Sequence, residues 1–102
     1  MYRAGDELDQ QQWLETLDGV ADALDLDAEA RTTAKDLFLS AVPTDERSKP
    51  AAVAASAYAG ALIAGDQRSQ TAVADAAGVS RLAIQQRWKD LLDEAGFEPP
   101  TW

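Results

Sequence analysis

Residues 51–64 read AAVAASAYAGALIA, an uncharged stretch in a chain of which 26% is charged. A helix that is apolar on every side belongs at the centre of a bundle. The stretch is also too short to span a bilayer, which takes about 20 residues. It therefore predicts an all-α domain wrapped around one buried helix. Pro50 suits the first turn of that helix and Gly65 its C-terminal stop. Ala54, Ala55, Ala57, Ala59, Gly60 and Ala61 have almost no bulk, so neighbouring helices can come close, while Tyr58 and Ile63 supply volume.

Four more helices flank it, and no strand pattern appears. The first is expected from about Glu7 to Leu24, with Trp13, Leu17, Val20 and Leu24 at helical spacing. Leu14 and Ala21 widen that stripe. Gly19 costs helix propensity there, which predicts a close packing contact at that point. Asp27 is the expected cap of the second helix, with Glu29 in its first turn and Ala30, Ala34, Leu37, Phe38 and Ala41 facing inward. Pro43 ends it. Ser69 caps a fourth helix over 70–77, and Gly78 stops it. Ser80 caps a fifth over 81–95, whose apolar members are Leu82, Ile84, Trp88, Leu91, Leu92 and Ala95. One domain is expected over 7–96, with tails at 1–6 and 97–102. The last tail, FEPPTW, is too proline-rich for a helix.

The chain contains no cysteine and no histidine. Disulfides, zinc fingers and thiol nucleophiles are excluded, and the commonest general base and metal ligand is missing. No glycine-rich phosphate loop stands in for them, so an enzyme is not expected and no cofactor, metal or small-molecule substrate is implied. The N-terminal MYRAGDELDQ is too acidic for a signal peptide and no segment suits a membrane, so a cytoplasmic protein is expected. The net charge of −9 is unevenly spread. Residues 1–46 hold twelve acids against three bases, whereas 47–102 hold six of each. Within 66–89, Arg68, Arg81, Arg87 and Lys89 outnumber Asp66 and Asp75. Scarce lysine with abundant acid and alanine is the balance of a halophilic protein, although an ordinary acidic domain has the same net charge.

The segment QTAVADAAGVSRLAIQQRW, within about 69–95, has the parts of a helix-turn-helix. Ala74 is the small residue at the crossing, Gly78 the turn, and Val73, Ala77, Val79 and Ile84 the apolar lock. A plain corner between two core helices would use the same parts. Arg87 stands three residues after Ile84, where bacterial repressors place an apolar residue, and the apolar side chain comes next, at Trp88.

That order, together with the proline-opened PAAVAASAY and the RSQTAVADAAGVS block, resembles a cyclin-like repeat of archaeal transcription factor B, the relative of eukaryotic transcription factor IIB. The second, C-terminal repeat is the nearest match. The resemblance is close over about half of the chain and weaker over 1–46. It implies a five-helix cyclin-like fold, with helices four and five forming a helix-turn-helix. It also implies double-stranded promoter DNA and the TATA-binding protein as partners. Carried over by residue, Ser80, Arg81, Gln85 and Gln86 fall on the outer side of the recognition helix with Arg87 beside them. Ser69, Gln70 and Thr71 fall at the preceding helix N-terminus, suited to phosphate. Arg68 and Lys89 flank the motif as phosphate residues. Arg87 is open between phosphate and an acid of its own helix, and Trp88 is expected in the core. A full factor has a zinc ribbon and two repeats. With one repeat and no cysteine, this chain is not expected to recruit polymerase as that factor does.

Two functions follow as expectations. One is a DNA-binding transcription regulator. The other is an adaptor that binds the TATA-binding protein or another transcription component without touching DNA, as the net acidity would favour. The absence of acids between Arg81 and Lys89 argues for the first.

Overall fold

The computed structural model describes residues 10–96. Among them are five α-helices: α1 (Gln11–Leu24), α2 (Ala28–Ser40), α3 (Lys49–Ile63), α4 (Gln70–Ala77) and α5 (Arg81–Glu94). A 3₁₀ turn, Glu46–Ser48, leads into α3, and no strand occurs among the described residues. The expected start of α1 at Glu7 and the FEPPTW tail lie outside the described residues.

Helix α3 packs against all four other helices. From Ala52 to Ala61 every residue is buried, as its lack of charge demands. Leu17 and Val20 of α1, Leu37 and Phe38 of α2, Val73 of α4, and Ile84, Trp88 and Leu92 of α5 complete the core around it. The ring of Trp88 meets Tyr58 edge to face, with centroids 5.4 Å apart, which is the preferred aromatic geometry. Trp88 is thus a core residue, as expected.

The local signals set the boundaries. Asp27 caps α2 by accepting from the Ala30 N–H at 2.8 Å. Ser69 and Ser80 cap α4 and α5 in the same way, accepting from Ala72 N–H and Ala83 N–H. Gly65 and Gly78 take left-handed conformations after α3 and α4, which side chains with a Cβ resist. Asp25 ends α1 with φ 54°, a conformation that Asp tolerates better than most residues.

The close helix approach is not at Gly19. That glycine is exposed, and a Cβ built on it meets no atom within 4 Å. It lies at Gly60, where a Cβ would stand 2.6 Å from the Ala34 backbone nitrogen and 2.8 Å from the Ala34 Cβ. Two helices meet there almost backbone to backbone. The two glycines should therefore respond in opposite senses to alanine. Gly60→Ala is expected to cost about 1–3 kcal/mol through overpacking. Gly19→Ala is expected to add about 0.5–1 kcal/mol through helix propensity. Urea unfolding of the two variants measures both.

Candidate nucleic-acid interface

Helices α4 and α5 are joined at Gly78–Ser80, and both the Gly78 and Val79 amides donate back to the Ala74 carbonyl. Ala74 and Val73 are buried at the junction and Ile84 locks it from α5, while Ala77 and Val79 are half-buried. The turn holds α5 with one side in the core and the other in solvent.

Five residues share the solvent side of α5: Arg81, Leu82, Gln85, Gln86 and Lys89, all exposed. Ser80 stands at its N-terminus with the hydroxyl engaged as the cap. No acid interrupts this surface between Arg81 and Lys89. Lys89 Nζ lies 5.5 Å from the centre of the Trp88 ring, a cation–π placement that holds the lysine stem against the helix.

Leu82 is 58% exposed in the middle of this surface, not in the core where it was expected. Two residues along a helix turn through about 200°, so a side chain two before the buried Ile84 has to face outward. That spacing was the available signal. Leu82 is the only exposed large hydrophobic side chain among the described residues.

Arg87 falls on the other flank of α5, about 200° around from Gln85. Its guanidinium donates to the Ser48 Oγ at 3.2 Å, and Ser48 Oγ in turn bonds Asp45. The structure thus ties Arg87 to the turn before α3, an option not considered from sequence. Ser69, Gln70 and Thr71 form the start of α4, where first-turn amides lack acceptors within their own helix. Ser69 and Thr71 are exposed and Gln70 is half-buried.

Arg68 is turned inward. Its Nε donates to the Leu24 carbonyl at 3.0 Å and its Nη2 to the Asp25 carbonyl at 3.1 Å, both at the end of α1. Its Nη1 pairs with Asp66 Oδ1 at 2.7 Å. Asp66 Oδ2 accepts from the Asp27 N–H at 3.0 Å. These bonds pin the linker before α4 to the corner between α1 and α2, over the small cluster of Ala21, Leu26, Ala30 and Ala61. Sequence reasoning missed this role.

A model of the transcription factor TFIIB repeat matches residues 7–94. The chain belongs to that family, which makes it an all-α, cyclin-like domain from a family of transcription factors and not of enzymes. It is similar to transcription initiation factor IIB 2 of Thermococcus kodakarensis, with 29% identity across 85% of this chain and 29% of that protein. Transcription initiation factor IIB of Pyrococcus abyssi is 31% identical across 79% of this chain and 28% of its own length. The factor IIB of Methanosarcina mazei is 36% identical across 54% of this chain and 16% of its own. The chain thus spans less than a third of each of these relatives. No described helix is long and apolar enough to cross a membrane.

The Arg68 hydrogen bond, and then the Asp27 amide, hold the Asp66 carboxyl below its ordinary value of 3.8. A lowered folded-state pKa adds stability at pH values above the unfolded one, and that stability is lost as pH falls through the folded one. Asp66→Asn should therefore be less stable than wild type near neutrality. The difference should shrink as the pH drops below 3.8. Urea midpoints across an acid pH series read this directly.

Proposed function

We propose that the chain is a DNA-binding transcription regulator of the initiation machinery, reading promoter DNA through a helix-turn-helix formed by α4 and α5. The observation that carries this is the outer face of α5. Arg81, Leu82, Gln85, Gln86 and Lys89 stand in solvent on one side of a helix whose other side is core, with no acid among them. Glutamine suits the N6/N7 edge of adenine and arginine the O6/N7 edge of guanine, and an apolar side chain suits the thymine methyl group. In this reading Gln85, Gln86 and Arg81 meet base edges, and Lys89 and Ser80 meet the backbone. The first turn of α4, with Ser69, Gln70 and Thr71, takes a phosphate. Arg68 serves by holding α4 in place, since its guanidinium is committed to α1 and Asp66. Arg87 stays at Ser48. Contact with the TATA-binding protein is the second part of the proposal. It rests on family membership and on the initiation-factor names of the relatives.

One observation favours the adaptor reading. The acids of residues 1–46 give the molecule its whole net charge of −9, which repels bare DNA in dilute buffer. The proposal answers with salt. Ordinary repressors gain affinity by counterion release and lose it steeply as salt rises. A chain with so few bases on its DNA-facing side has little to lose.

The test is a salt titration on TATA-containing promoter DNA and on a scrambled duplex, at up to molar potassium chloride. Binding is expected to fall with salt far less than an ordinary repressor's. Gln85→Ala and Gln86→Ala should each lower the promoter-to-scramble ratio, by about 1–3 kcal/mol for a bidentate contact. Lys89→Ala should weaken both duplexes alike. A ratio untouched by either glutamine variant would put the adaptor in place of the DNA reader. The halophilic part of the proposal has its own measurement. The melting temperature should rise from dilute buffer to molar potassium chloride, because salt screens repulsion among the acids.

A further inference from the structure

On the side of α5 that carries Arg87, the structure leaves a pocket of about 150 Å³. Its apolar lining, the floor, is Ala41 and Pro43 after α2, Ala52 and Ala55 on α3, and Leu91 on α5, mostly short side chains. Asp90 and Glu94 stand at its edge, both exposed, four residues apart and so on one side of α5. No ion pair engages either carboxylate among the described residues. The cation that also lines the pocket, Arg87, is directed to Ser48 instead.

We propose that this pocket is a docking site for one arginine or lysine side chain presented by a basic segment of a protein partner. The charge of the pocket selects the occupant. Two free carboxylates against one committed guanidinium leave the edge negative, on a molecule of net −9. Phosphate and nucleic acid are repelled there. A purely apolar group would fill the floor and leave both carboxylates unused. Arginine and lysine satisfy both halves at once, since the aliphatic stem covers the alanine floor while the head stays at the wet edge. The short floor side chains give the stem its room.

The position gives the site a use. Arg87 lies about 200° around α5 from Gln85, while Asp90 follows Gln86 by four residues and so borders the outer face. A partner seated in the pocket therefore sits against the edge of the outer face, next to Gln86. The proposal stands on the pocket alone and does not require DNA binding.

The experiment uses the full chain labelled with ¹⁵N. The probes are the capped tripeptides acetyl-Gly-Arg-Gly-amide and acetyl-Gly-Lys-Gly-amide, with norleucine and glutamate in the central position as controls. Saturable shifts are expected at the amides of Ala52, Ala55, Asp90 and Glu94 with arginine and lysine, and not with the controls. The double variant Asp90→Asn/Glu94→Gln should weaken the arginine probe about fivefold, as loss of two exposed ion pairs predicts. Its unchanged spectrum elsewhere would show the fold intact. Ala41→Leu, which fills the floor and keeps both acids, should weaken the same probe. Equal binding of norleucine would overturn the proposal, because the carboxylates would then select nothing. Absence of shifts at these amides, or shifts that rise without saturation across all acidic residues, would overturn it too.

Discussion

The approach of α2 to α3 at Ala34 and Gly60 is the contact on which the other helices depend. At that point the two backbones leave no room for a single methyl group. Such closeness is possible only because α3 offers glycine and alanine there. It makes α3 narrow enough to be enclosed by four helices in a chain of this size. Volume returns where the helices diverge. Tyr58 meets Trp88 on the α5 side, and Phe38 and Leu37 fill the α2 side. With α3 fixed, α5 has one orientation that buries Ile84, Trp88 and Leu92 together, and its outer face follows from that.

The outline of this fold was legible because its signals are local. An uncharged helix, a serine or aspartate cap and a glycine stop each act within a few residues, and Asp27, Ser69, Ser80, Gly65 and Gly78 all do what their chemistry suggests. What escaped depends on distance in sequence. Gly19 and Gly60 look alike as helix glycines, and only the neighbour 26 residues back, Ala34, distinguishes them. By its charge alone Arg68 resembles a phosphate-binding residue. Its acceptors are main-chain carbonyls at Leu24 and Asp25, 44 and 43 residues away, and a carbonyl leaves no mark in the sequence. Leu82 is a different case. Its spacing from Ile84 turns it outward, against the burial that the hydrophobic character of leucine alone suggests.

The network around Arg68 also changes how the charge of the molecule is to be read. Of the cations expected to face a nucleic acid, Arg68 and Arg87 serve internal contacts, with Asp66 and the end of α1 in one case and Ser48 in the other. The DNA-facing charge in the proposed function is then carried by Arg81 and Lys89 alone, beside uncharged Gln85 and Gln86. Such a face recognises more by hydrogen-bond pattern than by charge.

An acidic protein can still use such a face if its other charges are not felt there. The described body measures 36 × 26 × 25 Å, and nine of its fourteen acids lie between Glu15 and Glu46, ahead of α3. At 0.15 M salt the screening length is about 8 Å, and at 1 M about 3 Å. In dilute buffer a phosphate near α5 senses the whole acidic molecule. In molar salt it senses little beyond the side chains it touches. The net charge of −9 then governs hydration and solubility, while in the proposed function a few residues on one side of α5 govern recognition. On that argument the acidity of the chain and the proposed DNA reading belong to the same medium, because the salt that makes the surface tolerable also removes its long-range repulsion of DNA.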